Sequence, residues 1–251
     1  MRAGRPLGAR GARLRADSGG LAWRPPSAAT VYPDPSDAAH SDAEWQAFLQ
    51  SQWFGQLVVA APGADPWCVP APYVYEPGDP LTLHLDRRNP ALPALSQAGR
   101  ALFTVLDDVA FVPSAWNRRP SAELRHTAPT VYFAAVQVVG RATEVDDPAR
   151  LGAHIEKLLA RVQPGESLDP VEPGPSPFGR MLGGIRGVEI EVEEVRCRFK
   201  MGGDKSTAHR LRIADALAAR GTDADLAARA HLLRRVETER PDSTPSGTEA
   251  G

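Results

Sequence analysis

Cysteine is scarce in this chain: Cys68 and Cys197 are the only two among 251 residues. Two distant thiols exclude a disulfide framework and any C-x-x-C metal or redox spacing, which fits a cytoplasmic location. Long apolar runs are missing as well. No stretch approaches the ~20 consecutive apolar residues that cross a bilayer, so no membrane partner is expected. Nor does either sign of charge dominate, since 29 Lys and Arg face 31 Asp and Glu for a formal net charge of -2. That near balance conceals an asymmetry: residues 1–27 hold six arginines and one aspartate, leaving about -7 on residues 28–251. An acidic body repels a phosphate backbone, and direct DNA binding is not supported. The G-x-S-x-G, H-E-x-x-H, Walker and G-x-G-x-x-G signatures are all absent. Their absence removes the hydrolase-elbow, zincin, P-loop and dinucleotide readings and leaves no assigned catalytic residue.

Apolar residues make up 42% and charged residues 24%, a composition able to bury a core. Residues 1–29, rich in Arg, Gly, Ala and Pro without a sustained period, read as a disordered basic extension, and residues 237–251 as a disordered polar tail. One domain, residues 30–236, lies between them. Ser41 followed by Glu44 reads as a capping box ahead of Trp45, Phe48 and Leu49, predicting a helix over 42–53. Strand-type runs follow at 56–60, 67–75, 81–85, 101–106 and 130–139. Further on, Val188, Ile190 and Val192 alternate with glutamates, and Val195, Cys197 and Phe199 alternate with basic residues. The phase slips by one at Glu193/Glu194, which predicts a β-bulge. Such strands predict a mainly β fold with flanking helices (α+β), a small barrel rather than a doubly wound sheet.

Asn89-Pro90 and Asp147-Pro148 each read as N-cap and first residue of a helix. The second helix carries an apolar stripe of Leu151, Ile155, Leu158, Leu159 and Val162, with His154 as a packed or rim histidine beside it. Residues 164–177 hold five prolines and read as a surface loop. Thr207–Val236 reads as a helix pair divided by Gly221. On the second helix Leu226, Ala230 and Leu233 are expected inward and Arg229, His231, Arg234 and Arg235 outward.

Two stretches carry candidate chemistry. In Arg87-Arg88-Asn89-Pro90, two guanidiniums precede a helix N-terminus, a combination that favours a phosphate or carboxylate. His84 lies on the strand before it. Between Ala110 and Phe133, Trp116, Tyr132 and Phe133 offer aromatic faces, Ser114, Asn117 and Thr130 offer polar groups, and Arg118, Arg119 and Arg125 offer charge. That is the composition of a loop closing over a planar anionic cofactor, although such loops also occur without a ligand.

The order His84-Leu85-Asp86-Arg87-Arg88-Asn89-Pro90, Val112-Pro113-Ser114-Ala115-Trp116, Ala128-Pro129-Thr130-Val131-Tyr132-Phe133 and Gly187-Val188-Glu189-Ile190 with Phe199-Lys200 resembles the FMN-binding negative transcriptional regulators of the PaiB type. The resemblance spans roughly residues 31–236. It implies a split β-barrel of the FMN-binding type with C-terminal helices, a homodimer with cofactor sites at the subunit interface, bound FMN, and a part in transcriptional regulation or redox sensing. Together with the two stretches above, the resemblance makes His84, Arg87, Arg88, Asn89, Ser114, Trp116, Thr130, Tyr132 and Lys200 the candidate cofactor-binding residues, of which His84, Arg87, Asn89, Trp116 and Thr130 match the family pattern. The chain departs from the family's S-P-S-W-Y and P-T-W-N-Y patterns at Pro113–Asn117 and Pro129–Phe133. The haem-dependent piperazate synthases, which form an N-N bond on an N-hydroxylated ornithine, are a similar branch. For haem the axial candidates are His84, His126 and Tyr132. A flavin-dependent oxidoreductase and a cofactor-free interaction module stand as further alternatives.

Overall fold

Alternating apolar and polar residues turn six segments into strands: β1 (Phe54–Val59), β2 (Trp67–Val74), β3 (Leu81–Asp86), β4 (Arg100–Val112), β5 (Thr130–Val145) and β6 (Ile185–Lys200). In the computed structural model, which describes residues 34–239, they form a closed antiparallel barrel in the order β1-β2-β3-β6-β5-β4. The expected basic extension, residues 1–29, lies outside the described residues, as does the expected tail beyond Glu239. Inside the barrel, Leu57, Leu83, Phe103, Val136, Val138, Ile190 and Phe199 are buried in one core. β2 and β3 share only a narrow seam, Tyr73 opposite Leu83 and Val74 opposite Thr82.

The strands β4 and β5 outrun the expected 101–106 and 130–139, because alternation resumes past polar residues that a local reading takes as an end. The doubled glutamate does bulge: Val139 faces Glu194 and Gly140 faces Val192, so Glu193 is the extra residue. A second irregularity in β4 falls between Asp107 and Ala110. It places Asp108 at φ 54, the one positive-φ residue other than glycine among the described residues.

Among the described residues seven helices accompany the barrel: α1 (Asp42–Ser51), α2 (Ala91–Ala98), α3 (Ser114–Asn117), α4 (Pro148–Val162), α5 (Pro177–Leu182), α6 (Thr207–Arg220) and α7 (Asp223–Thr238). None of them is long and apolar enough to cross a membrane. The Asp147 cap of α4 forms, its side chain accepting from Arg150 N. Gly221 ends α6 in the left-handed conformation that its missing Cβ permits, and Thr222 and Asp225 close a capping box on α7. The Ser41 capping box does not form. Ser41 makes no side-chain cap, and Glu44 Oε2 accepts from the backbone N–H of His40 instead, at 2.7 Å.

The expected faces of α7 are corrected. Asp225, Ala228, His231, Leu232, Arg235 and Val236 are buried, while Leu226 is 47% exposed. Two of the four residues expected to form an outward cationic face therefore point into the protein. Accordingly, Leu232→Ala is expected to cost ~2 to 5 kcal/mol and Leu226→Ser no more than ~0.5 kcal/mol, read from urea midpoints. Equal losses would restore the sequence-based face.

One flank of the barrel is apolar on its outside. Leu106, Val109 and Phe111 on β4, Val131 on β5, and Trp53 and Phe54 at the start of β1 are exposed, Leu106 by 62%, while Trp67 is exposed at the other end of the β1–β2 pair, opposite Val59. Phe111 stands directly opposite Val131.

Candidate functional site

The β3 alternation buries Leu81, Leu83 and Leu85 in the barrel and turns Thr82 and His84 outward. Beyond it the chain makes the corner that carries Arg87, Arg88 and Asn89. Asn89 Oδ1 accepts from Ala91 N at 2.9 Å, so its side chain satisfies one of the free N–H groups at the start of α2. Arg87 donates its backbone N–H to Gly184 O at 2.9 Å and its Nη2 to Asp146 Oδ1 at 2.6 Å, and Arg186 pairs with the same Asp146. Arg88, largely exposed, forks onto Asp86, and these hydrogen bonds hold the Asp86 carboxyl down at about 2.

A second set gathers around α3. Ser114 and Trp116 are half-buried on it, Thr130 opens β5 opposite Val112, and Lys200 ends β6 opposite Phe133. The Arg220 guanidinium lies over the Trp116 indole at 4.7 Å from its centroid. Arg220 is held there by Asp225, Nε to Oδ2 at 2.7 Å, and by the Phe111 carbonyl at 2.8 Å. His209 Nε2 meets the Trp116 carbonyl at 3.0 Å. Ala115, Trp116, Arg118, Pro120, Arg212 and Ala216 line a cavity of 380 Å³. Tyr132 points into the barrel, fully buried, and burial raises its pKa above the ordinary value. Its hydroxyl finds no hydrogen-bond partner among the described residues and abuts Gly202, where a Cβ would come within 2.2 Å. His126 is exposed in the short turn Leu124–His126.

The two sets lie at opposite ends of the longest strand pair. His84 faces Gly187, which in turn faces Val145, whereas Lys200 faces Phe133. From Phe133 to Val145 the strand runs about 40 Å. Within one protomer, then, the fold does not unite the expected cofactor residues.

A residue passed over as packing stands beside the first set. His154, on the inward face of α4, contacts Thr82 Oγ1 through Nδ1 and His84 Nδ1 through Nε2, each at 3.0 Å. It also lines a cavity of 240 Å³ between α4 and the β2–β3–β6 wall, with Arg150, Lys157, Glu76 and Asp79 at the rim. Its place three residues after Leu151 was the available sequence signal. Burial, then the neighbouring His84 and Lys157, push the His154 pKa down to about 3, and burial also lowers that of His84. A base with a depressed folded pKa gives stability that is complete above the unfolded value near 6.5 and shrinks as pH falls, by up to ~1.4 kcal/mol per unit. His231 acts oppositely: burial disfavours its charge, but hydrogen bonds to Asp108 and Glu44 outweigh that and raise its pKa. A His154→Gln variant is therefore expected to lose less stability than wild type between pH 6.5 and 4.5. Parallel denaturation profiles for the two proteins would contradict a neutral buried His154.

A family model described as "Putative FMN-binding domain" matches residues 31–194. Its match ends inside β6, so α6 and α7, which supply Arg220, His209 and Arg235, lie beyond it. Among solved structures the chain is similar to a conserved hypothetical protein from Mycobacterium tuberculosis, at 20% identity and TM-score 0.48 over 65% of this chain and 88% of that one. A flavocytochrome from Azotobacter vinelandii aligns at 20% identity and TM-score 0.49 over 66% and 70% of the respective chains. A FAD and haem binding protein from Mycobacterium smegmatis aligns at 14% identity and TM-score 0.47 over 74% and 80%. No curated protein matches the sequence.

Proposed function

The chain belongs to the FMN-binding domain family, and from that membership we propose that it binds FMN as a homodimer and serves redox sensing or transcriptional regulation. The observation that carries the dimer is the separation of the two residue sets along β5 and β6. One FMN cannot span about 40 Å of strand within a protomer, whereas a two-fold pairing that set the Arg87 corner of one protomer against the Trp116 end of its partner would bring the two sets together. The exposed apolar flank of Leu106, Phe111, Val131, Trp53 and Phe54 supplies a surface that pairing would cover.

The donor set fits an anionic planar group. FMN, when bound, supplies one- and two-electron transfer through its ring. Arg87 is half-exposed and already holds an oxyanion, Asp146, in the manner it would hold a phosphate. Trp116 offers an indole edge beside Arg118 and Arg212, with the Arg220 guanidinium over its ring. With His231 and Arg235 turned inward, α7 keeps only Arg229 and Arg234 of the expected cationic face, which favours an indirect regulatory role through small-molecule chemistry.

A second reading, haem binding with an enzymatic role similar to piperazate synthase, is favoured by one observation. His84 is a neutral, half-buried imidazole whose Nε2 has no hydrogen-bond partner among the described residues, whereas the Tyr132 hydroxyl is sealed in the core and His126 sits on an exposed turn.

The absorbance spectrum of the purified and reconstituted protein separates these readings: paired flavin bands for FMN, a Soret band for haem. A colourless protein that takes up neither would leave the interaction-module reading. Arg87→Ala is expected to weaken FMN retention by ~1.5 to 3 kcal/mol as a charged hydrogen bond is lost, and undiminished retention would remove Arg87 from the site. Phe111→Glu is expected to shift the sedimenting species from dimer to monomer.

A further inference from the structure

We propose that the cavity between α3 and α6 binds a planar organic anion, an aromatic carboxylate, which Arg118 and Arg212 hold against the Trp116 indole. The proposal rests on the FMN reading above and deepens it, adding a second ligand beside a flavin held from the Arg87 corner. Arg212 and Ala216 lie beyond residues 31–194, so the family match does not supply this cavity.

The fold fixes the indole first. The Pro113 carbonyl accepts from Trp116 N and Asn117 N, each at 3.0 Å, and Asn117 Nδ2 donates to the Ala128 carbonyl at 2.8 Å. The Trp116 carbonyl can only accept, so His209 Nε2 donates to it across 3.0 Å. Arg220 covers the ring at 4.7 Å but takes no part in the lining, which leaves the rest of the indole to the cavity. On α6, Arg212 and Ala216 are four residues apart and share a face, while Ile213, Ala214 and Leu217 are buried. Ala216 ends at Cβ, and a longer side chain there would project into the 380 Å³ of open space.

Charge then selects the ligand. Among the described residues that line the cavity, Arg118 and Arg212 are the only charged ones. The cavity beside His154 differs, since Glu76, Asp79 and Glu189 join Arg150 and Lys157 there, and in the one between α1 and α7 Glu44 stands with Arg234 and Arg235. Of the carboxylates on the flanking segments, Asp204 is taken by Lys205, Glu123 by Arg125 and Asp225 by Arg220, and Asp215, three residues on from Arg212, does not pair with it. Arg118 uses one Nη1 hydrogen bond on the Ala122 carbonyl at 3.1 Å, and the exposed Arg212 has no hydrogen bond or ion pair among the described residues. Unused guanidinium forks grip a carboxylate at two points, and the indole, Pro120 and alanine surfaces favour a flat apolar body. A volume near the lower end of small-molecule sites suits one or two rings and not a whole flavin nucleotide.

The test titrates 2-naphthoate into the full chain by calorimetry, with and without FMN. Saturable binding is expected, with the neutral isostere 2-naphthalenemethanol ~10- to 100-fold weaker because charged hydrogen bonds to the guanidiniums are lost. That comparison needs no variant to fold. Arg212→Gln, at an exposed position, is expected to weaken 2-naphthoate ~10-fold and Ala216→Leu to abolish its binding, both with wild-type urea midpoints and unchanged FMN retention. Equal affinity for acid and alcohol, no saturation at millimolar 2-naphthoate, or wild-type affinity in either variant would overturn the proposal. Competition identifies the source of the anion. If FMN expels 2-naphthoate and both substitutions weaken FMN, the cavity is the flavin's own seat, and the second-ligand proposal falls while FMN binding stands. If 2-naphthoate binds as expected and FMN does not bind at all, the FMN reading falls and the carboxylate site remains.

Discussion

Replacing Gly140 by alanine is expected to leave little or no folded protein. Gly140 sits in β5 at the bulge, opposite Ala101 on one side and Val192 on the other. A Cβ built there falls 1.7 Å from the Glu191 carbonyl oxygen and 2.8 Å from its carbonyl carbon. Both are backbone atoms of β6, held in the longest ladder of the barrel, so neither can retreat without breaking strand pairing. The clash is steric and not torsional, because Gly140 does not have a positive φ. An expected loss above ~4 kcal/mol belongs to the exceptional class of substitutions and consumes much of a typical margin of ~5 to 15 kcal/mol. Gly99 provides the contrast. It caps α2 at φ 61, and a methyl group added there would meet nothing within 4 Å among the described residues. Gly99→Ala should cost only the ~1 to 2 kcal/mol of left-handed backbone strain. Soluble yield and urea midpoints of the two variants decide the matter, and a Gly140→Ala protein as stable as Gly99→Ala would contradict the close β5–β6 approach at the bulge.

Arg235→Ala is expected to be the most damaging substitution on α7, at ~3 to 5 kcal/mol, because it empties a buried guanidinium site and leaves the half-buried Glu44 carboxylate without that cation. Arg235 is 1% exposed. Its Nη1 donates to Glu44 Oε1 at 2.8 Å, its Nη2 to the Ala38 carbonyl at 2.9 Å, and its guanidinium lies 5.6 Å from the Phe199 ring centroid. On the same helix His231 joins Asp108, through Nδ1 at 2.7 Å, to Glu44 at 3.6 Å. These contacts tie α1, α7 and the β4 bulge together, and they place the strained Asp108 backbone where its carboxylate is used. Arg235→Lys is expected to recover little, since an ammonium cannot serve the same set of acceptors in one plane. Its neighbour Arg234 is exposed, and Arg234→Ala should change stability by no more than ~0.5 kcal/mol. If the two alanine variants unfold at the same urea concentration, the buried network contributes nothing measurable.

These two residues mark where a linear reading succeeds and where it stops. The slip at Glu193/Glu194 is visible in the chain because strand alternation has period two and one inserted residue reverses every later side chain. Asp147 is visible as a cap because its partner, Arg150, lies three residues away, whereas Asn89 reaches Ala91 from one place further out, since Pro90 takes the N-cap position of α2. The face of α7 is not visible in that way. Its alanines, arginines and histidine allow more than one apolar stripe, and the choice falls to Glu44, 191 residues earlier in the chain. The Ser41 box failed for a nearer reason, since Glu44 reached one residue past it to His40.

The candidate site divides along the same line. Local sequence determined which segments become strands, where helices start, and that cationic and aromatic groups flank them, because those properties depend on spacing within a few residues. Tertiary structure alone decided that the Arg87 corner and the Trp116 end stand at opposite ends of β5 and β6, that Asp146 and Arg220 cover them, and that His154 bridges Thr82 and His84. Barrel closure sets those distances, and closure depends on pairing registers between segments up to about a hundred residues apart in the chain.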